Sequence, residues 1–300
     1  MRRRVKPGVL CSLCILCVLC DFVAAAHTRA QTGASRTALA TVFDPRNRPI
    51  VDVDADDFVV REGADMREIL SVHVADYPVV VMIDTSGHAR ADLTTMQRAA
   101  WQFIERIGQR PVALGTFGDP PVMLTTFEDE RSVLTEKLEA IAAGESGDGL
   151  LLQGAALAAQ TIRPTGAIFS AIVMLSASAT DASRDADALV PPIVEAGAIL
   201  HVVANQASRT SSSGSAPPGA AAAIGLSATV RALVDQTRGQ FTPIYTAASF
   251  PAALDQIANR MAAEIMIEYL VPPQSKANDV KIGVRIPGAR VRGFGVAPRQ

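Results

Sequence analysis

The chain has 300 residues, 49% of them hydrophobic, enough for one sizeable core or a core with appendages. Its 28 Lys and Arg against 30 Asp and Glu leave a formal net charge of −2, so no basic field exists to draw nucleic acid or an anionic lipid surface. The four cysteines all precede residue 21, so no disulfide framework can run through the rest of the chain.

The first thirty residues read as an export signal. MRRRVK supplies positive charge, VLCSLCILCVLC a short apolar run, and Ala24, Ala25, Ala26 and Ala30 the small residues where cleavage can fall. The run is short for a membrane span, and Asp21 interrupts any longer one. Cys11, Cys14, Cys17 and Cys20 each follow a leucine, which speaks against lipidation. A chain processed after this segment has no thiol nucleophile, no thiolate metal site and no membrane span. The expectation is an exported protein, periplasmic or extracellular.

Residues 36–76 read as strands: TALATVF alternates, DPRNRP is turn chemistry, and DDFVVREG and ILSVHVAD are short β-type runs. From Pro78 the pattern becomes strand–helix alternation. VVVMI is a continuous apolar run, as in a strand buried on both faces. A helix follows, with Asp92 at its N-cap and Leu93, Met96, Phe103, Ile104 and Ile107 on one stripe. Trp101 reads as packing. PVALGTF and PVMLTTF predict two strands joined by a GDP turn. ERSVLTEKLEAIAAG predicts a helix ending at Gly144, LLQGAALAAQTI a small-residue helix, and AIFSAIVMLS the next buried strand.

Between residues 185 and 196 a helix is expected to start only near Pro191 and Pro192, because proline breaks a helix interior. AILHVVA is a further strand. The Ser/Pro/Gly/Ala-rich segment 208–223 reads as a solvated loop. LSATVRALVDQTRG predicts a helix closed by Gly239. After the strand QFTPIYT, SFPAALDQIANRMAAEIMIEY predicts a helix capped by Ser249, with Leu254, Ile257, Met261 and Ile265 on one face. DVKIGVRIPG and RVRGFGV return to strands. His73 and His201, within strand patterns, are expected in the core. The alternation implies a mainly parallel sheet covered on both faces, with one antiparallel edge strand.

This order of motifs resembles a von Willebrand factor A domain: an apolar strand ending in IDTSG, a hairpin after the next strand, then IVMLSAS and AGAILHVVA. The flanks, VFDPRNRPIVDVDADDFVVREGADMREI and IEYLVPP with DVKIGVRIPGARVRGFGV, resemble the secreted bacterial von Willebrand factor A-related family of the acidobacterial type. The resemblance spans roughly residues 38 to 297. After the signal peptide at 1–30, the expected parts are an N-terminal β segment at 36–76, a Rossmann-like von Willebrand factor A-like α/β domain at 77–268 and a C-terminal β segment at 269–300. The flanks are expected to form a small β appendage.

The resemblance also implies a metal-ion-dependent adhesion site at the C-terminal edge of the sheet, where open α/β sheets place ligands in any case. Asp84 and Ser86 match its first two oxygen ligands. His88 stands at the third, Leu150 at the threonine and Ala177 at the later aspartate. Asp148 and Asp181 could substitute only if their loops fold back. Two ligands leave Mg²⁺ or Mn²⁺ weakly held, since a hard cation needs about six oxygens. The implied function is a non-catalytic module for protein–protein interaction or adhesion, with Asp84, Ser86, His88, Asp148 and Asp181 on the partner-binding face. The alternative is a hydrolase using Ser86 and His88, two residues apart on one turn. That sequence is not a G-x-S-x-G elbow, and no third orienting residue is evident. GESGDG, residues 144–149, follows a helix and lacks a lysine, unlike a phosphate cradle.

Overall fold

The computed structural model describes residues 34–145, 147–178, 180–206, 220–272 and 279–296. The export segment therefore lies outside the described residues, as do residues 208–219 of the expected loop. Among the described residues, no helix is long and apolar enough to cross a membrane.

In chain order, β1 (Ala34–Phe43), β2 (Pro49–Ile50), β3 (Phe58–Glu62), β4 (Asp65–Arg67) and β5 (Ile69–Val74) come first. The alternating part follows: β6 (Val79–Ile83), α1 (Leu93–Arg106), β7 (Val112–Thr116), β8 (Val122–Met123), α2 (Arg131–Glu139), α3 (Leu151–Ile162), β9 (Ser170–Ser176), α4 (Ala186–Glu195), β10 (Ala198–Asn205), α5 (Ala220–Gln236), β11 (Gln240–Ile244) and α6 (Phe250–Ala262). The chain closes with β12 (Ile265–Val271), β13 (Val280–Val284) and β14 (Arg290–Val296).

The α/β part is a six-stranded sheet in the order β11-β10-β9-β6-β7-β8, parallel except for β8, which pairs antiparallel with β7. β6 lies inside the sheet and its five residues are fully buried. Val79, Val81 and Ile83 pack to one side with α1, α2 and α6; Val80 and Met82 pack to the other with α3, α4 and α5. Two-face burial is why the run is continuously apolar: each side chain contributes about 1.5–3 kcal/mol of transfer free energy. Because the parallel strands run together, the loops after β6, β7, β9, β10 and β11 share one edge.

The flanks build more than a small appendage. Two antiparallel sheets, β14-β1-β12-β5 with β2 on β1, and β13-β3-β4, enclose a core of their own that includes Val42, Phe58, Val60, Ile267 and Tyr269. Leu39 and Phe294 point the other way and join the core beneath α6. The buried Arg36 of β1 pairs with Glu62 of β3, which also takes Arg67 at 3.0 Å, so one carboxylate ties the two small sheets together.

Several elements differ from expectation. The helix from Ser249 ends at Ala262, and Ile265 begins a strand instead of extending the helical face. IMIEYLV alternates buried and half-buried residues, a period of two that fits a strand packed over a core. The helix before Glu195 runs through Pro191 and Pro192 from Ala186. The carbonyls that lose their N–H partners belong to Asp187 and Ala188, both exposed, so water can take the donors' place. Ala220 to Ala223 are helical, in keeping with alanine's high helix propensity. α2 stops at Glu139, well before Gly144. Arg238, not Gly239, takes the left-handed position after α5, at φ 60°. Gly239 is required for another reason: a Cβ there would lie 1.6 Å from the Leu200 carbonyl oxygen. His201 is buried as expected, but His73 is exposed on β5, the edge strand of its sheet.

Candidate functional site

The loop leaving β6 begins with Asp84, which is fully buried. Its Oδ1 accepts the Ser86 backbone N–H at 2.8 Å. Its Oδ2 accepts the Ala177 N–H at 3.0 Å and the Ser176 hydroxyl at 3.3 Å. Two donors thus come from the end of β9, the neighbouring strand. Gly149 packs over the same carboxylate: a Cβ added there would sit 3.1 Å from Oδ1 and 3.3 Å from Oδ2. A side chain at that position would be tight against the carboxylate and would need its neighbours to shift by a few tenths of an ångström.

That loop does fold back over the turn after β6. The Gly144 N–H donates to the Thr85 carbonyl at 2.7 Å, and the Gly87 N–H to the Gly147 carbonyl at 3.2 Å. On the surface, His88 Nε2 lies 2.9 Å from Asp148 Oδ1, with both side chains about half exposed. Arg90 Nη2 donates to the Gly144 carbonyl at 3.0 Å. Thr85 Oγ1 accepts the Gly118 N–H at 3.1 Å and so joins the loop after β7.

Asp181 is buried and turns to the start of α3. Its Oδ1 accepts the N–H groups of Leu151, at 2.9 Å, and Ser183, at 3.0 Å. Ser183 Oγ accepts the Gln153 N–H at 3.1 Å. These bonds supply acceptors to a helix start whose own N-cap residue, Leu150, has no side-chain oxygen. Burial raises the Asp181 pKa, against the lowering effect of the hydrogen bonds from Ser183, Leu152 and Leu151. Ser86 Oγ is also buried, with no hydrogen-bond partner among the described residues. Of the five residues expected on the partner face, His88 and Asp148 are exposed, and Asp84, Ser86 and Asp181 are buried.

The expected N-cap of α1, Asp92, is in place, but its carboxylate accepts from Asn205 Nδ2 at 2.9 Å, at the end of β10. Beyond Asn205, after β11, stands Tyr245, 65% exposed. Sequence reading passed over Tyr245; the available signal was an aromatic just past a strand end on the ligand-bearing edge. It also missed Gly149 and Ser176, whose roles depend on contacts across 60 or more residues.

No family model and no curated protein matches the chain. Solved structures do. Proximal thread matrix protein 1 from the mussel byssus, with a zinc-occupied MIDAS motif, aligns with a TM-score of 0.51 at 10% identity, covering 68% of this chain and 50% of that one. A von Willebrand factor type A protein from Catenulispora acidiphila aligns at 0.49 and 12% identity over 91% of this chain and 74% of that one. The von Willebrand factor domain of the type V pili tip protein Mfa5 from Porphyromonas gingivalis aligns at 0.46 and 12% identity, over 63% of this chain and 95% of that one. The chain has the fold of a von Willebrand factor A domain. Identities this low speak for the fold alone.

The donor set does not fit the divalent cation that a von Willebrand factor A fold suggests. Both Asp84 oxygens already accept protein donors. Ala177 presents an N–H where an oxygen acceptor is needed. His88 is turned to Asp148, and Asp181 to α3. Of the expected ligands, Ser86 Oγ alone is a buried oxygen with no hydrogen-bond partner among the described residues. Among the described residues, no group of three or more His, Cys, Asp or Glu side chains is placed to hold a metal. Ser86 Oγ and a carboxylate already committed to protein donors would leave most of the six-oxygen shell of Mg²⁺ or Mn²⁺ to water, so such an ion would be weakly held.

Proposed function

We propose that the protein is an exported, non-catalytic von Willebrand factor A module of the acidobacterial type. It binds a protein partner through the C-terminal edge of its six-stranded sheet and does so without a tightly held metal. The observation that carries this reading is the Asp84 carboxylate, whose two oxygens are satisfied by Ser86, Ala177 and Ser176. A carboxylate held this way sets the loops above it. His88, Asp148 and Tyr245 are exposed on that edge. Tyr245 is the anchor, since an exposed tyrosine offers large contact area at low entropy cost. The non-catalytic part rests on His88, whose Nε2 meets Asp148, while Ser86 Oγ lies buried without a base.

The test is capture of a partner from the native envelope on immobilised protein. Capture should persist in EDTA and be lost with Tyr245→Ala or His88→Ala. Loss in EDTA, or indifference to both substitutions, would overturn the reading. Ester hydrolysis that disappears with Ser86→Ala would restore the hydrolase.

A further inference from the structure

The chain passes between its β part and its α/β part at residues 75–78 and again at residues 263–264. Both crossings lie at the edge of the six-stranded sheet opposite the candidate site. Their backbones meet: the Ala75 N–H donates to the Glu264 carbonyl at 2.9 Å. Their side chains meet as well, because the Tyr77 hydroxyl donates to Glu264 Oε2. Arg110 stacks on the Tyr77 ring at 4.4 Å, and its Nη2 donates to the Met261 carbonyl at 2.9 Å. Arg260 places its Nε 3.7 Å from Glu264 Oε1 and covers the ring of Phe294, in β14, at 4.7 Å.

Tyr77, Arg110 and Glu264 are all buried, Glu264 completely. Unlike that of Asp84, the Glu264 carboxylate accepts no backbone N–H among the described residues. Its Oε1 makes no hydrogen bond among the described residues, and Arg260 stands beyond hydrogen-bond reach. Burial pushes its pKa up. The apolar contacts that also join the two parts, through Leu39, Ala75, Met266 and Phe294, are non-directional. A hydrogen bond is directional, and a desolvated carboxylate with a single close donor is costly to leave unpaired.

We propose that the Tyr77–Glu264 hydrogen bond is the lock that fixes the β part against the α/β part, and that without the tyrosine donor the charge of Glu264 drives the two crossings apart. The lock is a positioning device set behind the sheet, remote from its ligand-bearing edge.

Paired spin labels test it on the full chain. Cys11, Cys14, Cys17 and Cys20 are changed to serine, and labels are placed by Met66→Cys and Val122→Cys, at sites 54% and 44% exposed in the two parts. The parent should give a single narrow distance. Tyr77→Phe should lose it in favour of a broad distribution. Adding Glu264→Gln to Tyr77→Phe should restore the narrow distance, because the buried charge left without its close donor is gone; lost packing alone would not be rescued this way. Should Tyr77→Phe fail to fold, Glu264→Asp carries the test: the shorter side chain keeps the charge, withdraws from the hydroxyl and should broaden the distance. An unchanged distance in Tyr77→Phe, no rescue by Glu264→Gln, or a narrow distance in Glu264→Asp would overturn the lock.

Discussion

Two fully buried carboxylates stand at opposite edges of the same sheet, and the protein treats them differently. Asp84 is solvated by two backbone N–H groups and a hydroxyl, from its own turn and from the end of β9. Glu264 relies on one phenol and a guanidinium at 3.7 Å, contributed by separate elements. Backbone donors are fixed by the fold and lose no side-chain entropy on binding. Side-chain donors can be withdrawn by one substitution. The first arrangement makes a rigid platform; the second makes a joint.

Breaking the platform should cost most. Asp84→Ala leaves the N–H groups of Ser86 and Ala177 and the Ser176 hydroxyl buried without their acceptor, so urea titration should show about 3–5 kcal/mol of lost stability. A loss below about 1 kcal/mol would mean that water replaces the carboxylate, and that the site is more open than its burial indicates.

His201 sharpens the comparison from the acid side. Burial, helped by the nearby Arg260 charge, holds its pKa down to about 3 from an ordinary 6.5. The unfolded chain therefore takes up a proton below pH 6.5 that the folded chain refuses. Stability should fall by up to roughly 1.4 kcal/mol per pH unit as pH drops from 6.5 towards 3. Urea titrations at pH 7 and pH 4 should show a shallower acid loss in His201→Leu. An equal loss in both proteins would show that His201 is not held neutral.

Much of the platform was legible in the sequence, because it depends on local order. The VVVMI run and Asp84 are consecutive in the chain, and the hairpin after β7 joins two strands only a few residues apart. The rest depends on contacts between distant positions. Asp148 meets His88 across 60 residues, and Asp181 serves Leu151 across 30. Their pairing decides whether they are ligands, caps or surface, and spacing alone does not encode it. The break foreseen at Pro191 failed because exposure of Asp187 and Ala188 offsets the lost hydrogen bonds. The helix foreseen through Ile265 failed because packing between two sheets selects the period of two.

Glu264→Gln should have a smaller effect than either change above. A buried carboxylate with a raised pKa binds its proton more tightly when folded, so its contribution is greatest below the unfolded value of 4.5 and is lost as pH rises through the folded value. Removing the charge should flatten that loss and alter stability at pH 7 by about 1 kcal/mol or less. A larger loss would mean that the pairing with Arg260 outweighs desolvation.

The smallest effect expected belongs to the central claim, that the Asp84 carboxylate serves the fold instead of a cation. The direct measurement is the melting temperature of the wild type in EDTA and in a few millimolar Mg²⁺ or Mn²⁺. A cation at 100 times its Kd stabilises the folded state by about 2.7 kcal/mol, a shift of several degrees. No resolvable shift is expected in the wild type, and a clear one in His88→Ser/Leu150→Thr/Ala177→Asp that Asp84→Ala removes. A shift of several degrees in the wild type would contradict it.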